Sequence, residues 1–297
     1  METLIVNIKR NSLDDGPGIR TVIFFKGCQL SCVWCQNPET KSPSQEISFD
    51  KEKCIKCKKC LEVCKDNAIS FSNKYRIDRD KCNLCGECIN ACQNKGLKFA
   101  GKSYDVDILF EKILRDKTFY DNSGGGVTFS GGEPTFHMDY LNKLLKKLKK
   151  ESIHVCLETC GYYNRENFNN LILPYVDLIY FDLKILDSNL HNKYCKVSNE
   201  RIFKNFEALI NNNKVEILPR IPLIPKVTAT KDNLIKLANY LKSKNITKIG
   251  LLPYNPLWIS KSETIGVKAE YKRSDWLNSK EKKVIKEIFS DFEFRDF

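Results

Sequence analysis

The chain has 297 residues, enough for one large core with an insert, and is 42% hydrophobic at a mean hydropathy of −0.40. Its best apolar run, 171–186, is broken by Pro174, Asp177, Asp182 and Lys184, and Met1 to Arg10 lack a basic stretch followed by an apolar one, so neither a membrane span nor a signal peptide is expected and the protein is read as cytoplasmic. Lys and Arg exceed Asp and Glu by twelve, but they are scattered over helix faces such as 143–150 without a basic arm, so neither nucleic acid nor a membrane is an expected partner.

The first strand is expected over 21–25, followed at once by three closely spaced cysteines. Residues 47–97 then carry eight cysteines and no long periodic segment. This reads as an inserted domain, 47–98, between a first part of the main domain, 1–46, and its remainder, 99–297. Apolar residues three and four apart predict helices through Val106, Leu109, Phe110 and Ile113 and through Leu141, Leu144, Leu145 and Leu148, with later ones near 200–211 and 231–244. Further strands are expected at 127–130, 154–158, 178–183, 215–221 and 248–252. Six strands, each after the first preceded by a helix, argue for an α/β parallel sheet, open or curled into a partial barrel. In such folds reactive residues sit at the carboxyl ends of the strands.

Fourteen cysteines in such a chain point to metal binding rather than disulfides. The insert repeats with a period of 28 residues: Cys54, Cys57, Cys60 and Cys64, then Cys82, Cys85, Cys88 and Cys92, each run spaced C-x2-C-x2-C-x3-C. That is the bacterial ferredoxin spacing for a [4Fe–4S] cluster, in which the fourth cysteine of one run ligates the cluster of the other. It assigns Cys54, Cys57, Cys60 and Cys92 to one cluster and Cys82, Cys85, Cys88 and Cys64 to a second. Paired zinc sites are the alternative, but zinc motifs set two C-x2-C hooks far apart rather than four cysteines in eleven residues. The proline that usually follows the fourth cysteine is missing, with Lys65 and Gln93 in its place. The earlier set, Cys28, Cys32 and Cys35, is spaced C-x3-C-x2-C. Three thiolates can hold three irons of a cube and leave the fourth open, or form half of a closed site. Trp34 can pack in the core or over a bound cofactor.

Cys28-x3-Cys32-x2-Cys35 resembles the signature of the radical S-adenosylmethionine (SAM) superfamily. Asp14-Asp15-Gly16-Pro17-Gly18-Ile19-Arg20 resembles its glycyl radical enzyme activating branch, of the pyruvate formate-lyase activase type. Further matches follow in order: Ser130-Gly131-Gly132-Glu133-Pro134, Glu158-Thr159-Cys160-Gly161, Phe181-Asp182-Leu183-Lys184, Arg220-Ile221-Pro222 and Leu251-Leu252-Pro253-Tyr254. The resemblance implies a partial (β/α)6 TIM-type barrel with a bacterial-ferredoxin-like insert, three [4Fe–4S] clusters, and SAM on the open iron of the Cys28, Cys32 and Cys35 cluster. It implies an enzyme, an oxidoreductase, that cleaves SAM reductively to methionine and a 5′-deoxyadenosyl radical. That radical takes a hydrogen atom from a backbone glycine of a partner glycyl radical enzyme.

By the same resemblance, Gly131, Gly132 and Glu133 meet the amino end of SAM, and Asp182 and Lys184 position it. Lys184 joins the three cysteines in the catalytic set, and Trp34 in the cofactor set. Glu158, Thr159 and Asp182 match a monovalent-cation site of some members, a surface salt bridge being the alternative. Arg220 suits the SAM carboxylate. Asn255 stands where many activases have His, and is a SAM contact without an acid–base role. His137 replaces a polar residue often found after the Gly-Gly-Glu-Pro motif. Asp15, Gly16 and Pro17 either shape a loop that meets the partner or form a plain turn. Cys156, Cys160 and Cys195 read as buried structural residues. The expected companions are the glycyl radical enzyme and an external reductant such as flavodoxin or ferredoxin, with the insert clusters as relay and the free protein a monomer. Rival readings are a radical SAM enzyme acting on a small molecule or peptide, and a non-catalytic iron–sulfur electron carrier.

Overall fold

The computed structural model describes residues 1–212 and 214–297. Ten strands are present in it: β1 (Glu2–Ser12), β2 (Arg20–Phe25), β3 (Glu46–Phe49), β4 (Leu97–Ala100), β5 (Lys102–Asp105), β6 (Gly126–Gly131), β7 (His154–Thr159), β8 (Leu178–Asp182), β9 (Glu216–Leu223) and β10 (Gly250–Pro253). Eight of them form one sheet in the order β10-β9-β8-β7-β6-β2-β1-β5. The six from β2 to β10 in that sheet are parallel, and each is followed by at least one helix. The sheet stays open, with β10 and β5 as its edges, so it is a six-unit partial barrel.

The parallel strands begin and end within two residues of the expected bounds because they are buried on both faces and read as continuous apolar runs. In β6 every residue but the last is buried. The strand expected from Lys248 begins instead at Gly250, and Lys248 makes a lone bridge with Glu293. Two strands of the main sheet were not expected at all. β1 and the edge strand β5 run antiparallel at one margin and bury at most one face; β5 is polar, and β1 sets Leu4, Ile5, Val6 and Ile8 among polar residues, so neither reads as a continuous apolar run. Helices Val106–Leu114 and Met138–Lys150 lay their apolar stripes on the sheet; Leu141, Leu144, Leu145 and Leu148 are fully buried. Each such leucine contributes about 1.5–3 kcal/mol.

In the insert, β3 pairs antiparallel with β4, Glu46 opposite Ala100, so the chain leaves and re-enters the main fold at adjacent points. The sequence repeat reappears in the backbone. Left-handed residues recur 28 apart at Lys56 and Leu84, Lys58 and Gly86, and Asn67 and Lys95. Short helices Lys59–Glu62 and Glu87–Asn90 follow the second pair. The insert's apolar core is only Ile47, Phe49, Ile69, Ile77, Cys88 and Leu97, against which other cysteines pack. So small a core needs additional cross-linking to hold a fold.

Candidate functional site

β2 runs into the first cysteine loop at its carboxyl end, and the loop is fastened at its base. The Lys26 side chain is fully buried, and its ammonium donates to the Glu39 carbonyl (2.8 Å) and to Glu46 Oε2 (2.7 Å). A buried ammonium is tolerated only with such partners. The Gly27 N–H donates to the Thr40 carbonyl (2.7 Å) and that of Cys28 to Lys41 (3.1 Å). The N–H groups of Ser31 and Val33 donate to the Cys195 and Tyr194 carbonyls at 2.9 and 3.0 Å. Those carbonyls end helix Ser188–Cys195, so the loop supplies donors that the helix terminus lacks.

The Gly131–Pro134 stretch packs on this base. Gly131 has φ of 108°, and a Cβ on Gly132 would collide with the Gly27 and Thr40 carbonyl oxygens. The close approach that these glycines permit is therefore to the cysteine loop itself, where the sequence suggests a ligand. Glu133 is 1% exposed. Its Oε1 accepts from the Thr135 N–H and from the hydroxyls of Thr135 and Thr159, and its Oε2 accepts from the Cys160 N–H at 2.7 Å. Its first task is to tie the end of β6 to the end of β7.

No disulfide links any of the fourteen cysteines. Cys32 is buried, and Cys28 and Cys35 are partly so. The Cys195 thiol donates to Cys32 and holds it below its ordinary value against its own burial, with Lys184 helping. Cys160 likewise donates to Cys28, and this contact and burial push Cys160 up. Burial and the neighbouring Cys32 push Cys35 up to about 12. Two cysteines left over by spacing thus touch the loop; only their positions in three dimensions disclose it. Trp34 is 3% exposed within the main core, which favours packing for this residue.

A charged network lies across the carboxyl ends of β7, β8 and β9. Arg220 Nε and Nη2 reach Asp182 Oδ1 at 3.0 and 2.9 Å, and its Nη1 reaches Glu158 Oε1 at 2.6 Å. Lys184 Nζ donates to Asp182 Oδ2 at 3.1 Å, and the Ser130 hydroxyl donates to Glu158 Oε2. Side-chain exposures of 10–21% exclude a surface salt bridge. Burial alone would depress the Lys184 ammonium, but Asp182 and the Cys32, Cys160 and Cys195 thiols hold it above its ordinary value. Burial would raise Asp182, but Arg220 and Lys184 keep it low. Arg220 has five N–H donors, of which three are used, so two remain for a bound carboxylate. Lys184, Asp182 and the cysteine loop are therefore one neighbourhood.

Asn255 is half-buried, and its Oδ1 accepts from the Leu257 N–H at 2.9 Å, turning the chain into helix Trp258–Thr264. His137 is taken up by Lys26 and Thr3, at 2.6 Å to the Lys26 carbonyl. The Asp14–Arg20 stretch enters the opposite end of β2 from the cysteines. Arg20 is fully buried, and its guanidinium reaches Pro17 O (3.1 Å) and Thr128 Oγ1 (2.6 Å). A Cβ on Gly18 would strike Gly125. This geometry is that of a packed turn.

In the insert the two sets of four predicted from spacing are brought together. Cys54, Cys57, Cys60 and Cys92 wall one cavity, with Phe49 and Phe71. Burial raises Cys60, and Cys54, Cys92 and Cys57 act on it in the same direction. Burial and the neighbouring Cys82 and Cys64 push Cys88 up to about 11. Left-handed residues stand beside the cysteines of both runs, the kind of backbone from which N–H concavities for anionic iron–sulfur groups are built. With clustered thiols and a minimal apolar core, these residues fit two iron–sulfur clusters. The three thiols of the first loop, with no fourth cysteine in their motif, fit a cluster with an open position.

The profile of the radical SAM superfamily matches residues 83–238, that of a 4Fe-4S dicluster domain 53–95, and that of a 4Fe-4S single cluster domain 14–72. The chain is 39% identical to the trans-4-hydroxy-L-proline dehydratase activating enzyme of Clostridioides difficile, over 99% of this chain and 98% of that one. It is 39% identical to the (2S)-3-sulfopropanediol dehydratase activating enzyme of Klebsiella oxytoca, over 89% and 86%. It is 36% identical to the choline trimethylamine-lyase activating enzyme of Oleidesulfovibrio alaskensis, over 89% and 87%. Among solved structures, a radical SAM methyltransferase from Sphaerobacter thermophilus superposes with a TM-score of 0.55 at 13% identity, over 99% of this chain and 77% of that one, a likeness of fold.

Proposed function

Because the chain belongs to the radical SAM activating enzymes of glycyl radical enzymes, we propose that Cys28, Cys32 and Cys35 hold its catalytic cluster and that SAM sits against the charged network of β7–β9. The observation that carries this is the meeting of the cysteine loop with Lys184 and Asp182 at the carboxyl ends of the strands. When bound, the cluster and SAM supply a 5′-deoxyadenosyl radical that removes hydrogen from a glycine of the partner.

The chain's own residues orient and exclude water. The two free N–H groups of Arg220 are suited to the SAM carboxylate, and Asp182 and Glu158 hold that fork in place. Lys184, kept charged by Asp182, sits beside the thiols and favours their ionised state. Gly131 and Gly132 keep the loop base close, and carbonyls there accept from the SAM ammonium more readily than the committed Glu133 does. Asn255 approaches the same end from β10. Glu158, Thr159 and Asp182 are the residues for a monovalent cation. The unit 47–98 carries two further clusters, on Cys54, Cys57, Cys60 and Cys92 and on Cys82, Cys85, Cys88 and Cys64, making three in all. They pass electrons from a flavodoxin or ferredoxin in the cytoplasm, and the free protein is a monomer. A dehydratase is the first partner to test, since two relatives at 39% identity are named for dehydratases.

The test is anaerobic reconstitution with iron and sulfide, reduction with dithionite and addition of SAM. The wild type is expected to hold about twelve irons, the content of three four-iron clusters, and to form 5′-deoxyadenosine. The Cys28→Ala, Cys32→Ala, Cys35→Ala variant is expected to keep about eight irons and to form none. A wild type that holds its full iron yet makes no product overturns the assignment.

A further inference from the structure

Arg76, buried in the insert, is a cation that no carboxylate among the described residues pairs with. Arg76 is 8% exposed, with its guanidinium 3.6 Å from the centre of the Phe71 ring and 5.0 Å from that of Phe49. Those two rings also wall the cavity bounded by Cys54, Cys57, Cys60 and Cys92. Its hydrogen-bond acceptor is the neutral Ser70 carbonyl at 3.3 Å, its Nε is buried without a partner, and no carboxylate among the described residues pairs with it. The residue also sits at φ 65°, a left-handed conformation that a bulky side chain rarely adopts. A buried, strained, unpaired cation is costly, and it persists only where something compensates it.

We infer that Arg76 is the counter-charge of the cluster on Cys54, Cys57, Cys60 and Cys92 and sets its reduction potential above that of the other insert cluster. The inference rests on the ligand assignment proposed above. A thiolate-bound cluster gains negative charge when reduced, so a nearby buried cation stabilises the reduced state and raises the potential. The rings keep water from screening the charge, and a stacked guanidinium is less hydrated than an ammonium. The second set of cysteines has only a weaker counterpart. Arg79, half-buried and with its own Nε unpartnered, faces Cys82, but it also faces Glu46, which answers part of its charge, and it donates to the Ile47 carbonyl at 3.1 Å. Lys56 and Lys58, between the first cysteines, are exposed and screened by solvent. The two clusters of a near-repeat are thereby made unequal, with one favoured to hold the electron.

Redox titration of the reconstituted full-length protein, followed by electron paramagnetic resonance, tests this. The catalytic cluster is set apart because its signal alone changes on adding SAM. Arg76→Gln is expected to lower the potential of one insert cluster and leave the other in place, while Arg76→Lys stays near the wild type. Unchanged potentials in an Arg76→Gln protein with full iron, or an equal shift in both clusters, overturn the inference. If Arg76→Gln loses four irons, Arg76→Lys decides: a wild-type potential supports the counter-charge, and a lowered one overturns it. Cys60→Ala checks the underlying assignment separately, since a full iron content in that variant refutes the ligand set whatever the potentials do.

Discussion

Replacing Gly132 with alanine tests whether the Gly-Gly-Glu-Pro stretch acts by holding the cysteine loop. The added methyl would stand 2.7 Å from the Thr40 oxygen and closer still to the Gly27 oxygen, where real contacts begin at 3.0 Å. Both carbonyls are engaged: Gly27 accepts from the Glu133 N–H at 2.8 Å, and Thr40 accepts from the Gly27 N–H at 2.7 Å. Retreat of the loop base weakens both bonds, worth about 1 kcal/mol each. Overpacking adds about 1–3 kcal/mol, for a local cost of about 3–5 kcal/mol. Gly132 is not in the left-handed region, so the cost is steric. It falls next to Cys28, so the expected result is loss of the catalytic cluster alone, from about twelve irons to about eight, with SAM cleavage abolished. Gly124 is the control. It has φ of 65° and nothing within 4 Å of an added Cβ, so Gly124→Ala costs only about 1–2 kcal/mol and spares the loop. Iron analysis and 5′-deoxyadenosine assays read both. Gly132→Ala with full iron and wild-type cleavage would refute the reasoning.

Arg220→Met strands the Glu158 and Asp182 carboxylates and is expected to cost about 3–5 kcal/mol and to raise the KM for SAM; Arg220→Lys, unable to bridge both, restores little, as thermal unfolding and SAM titration will report. Lys26→Met leaves Glu46 without its buried partner, so urea unfolding should show a loss that Glu46→Gln partly recovers in the double variant. All three histidines, His137, His154 and His191, are held below their ordinary 6.5, chiefly by burial. As pH falls through 6.5 the unfolded chain takes up protons that the folded one does not, so stability should fall below that pH and stay flat above it. His191 donates from Nδ1 to the Val197 carbonyl, and His191→Asn should flatten part of the slope in anaerobic melts at pH 5.5 to 7.5.

Local pattern carried much of this protein. Continuous apolar runs marked the parallel strands, and three-and-four spacing marked helices Val106–Leu114 and Met138–Lys150, because burial on two faces or one stripe writes itself into composition. The 28-residue cysteine repeat reappears as a repeat of left-handed residues, since covalent spacing constrains a short loop almost completely. β1 and β5 escaped because the antiparallel margin of the sheet, β1 followed by the edge strand β5, is not buried on both faces.

Pairwise relations between distant segments were decided by the fold. Sequence could nominate Arg220, Asp182 and Glu158 one by one, but only the register of β7, β8 and β9 makes them one buried network with Arg220 opposite Asp182. Likewise, nothing in the spacing says that Cys160 and Cys195 lie against Cys28 and Cys32, or that Arg76 is stacked between Phe71 and Phe49 beside four other cysteines. Apart from Arg76 on Phe71, such contacts join residues tens of positions apart. Burial and electrostatic partnership are properties of packed space, and a linear pattern encodes residue types without encoding which of them meet.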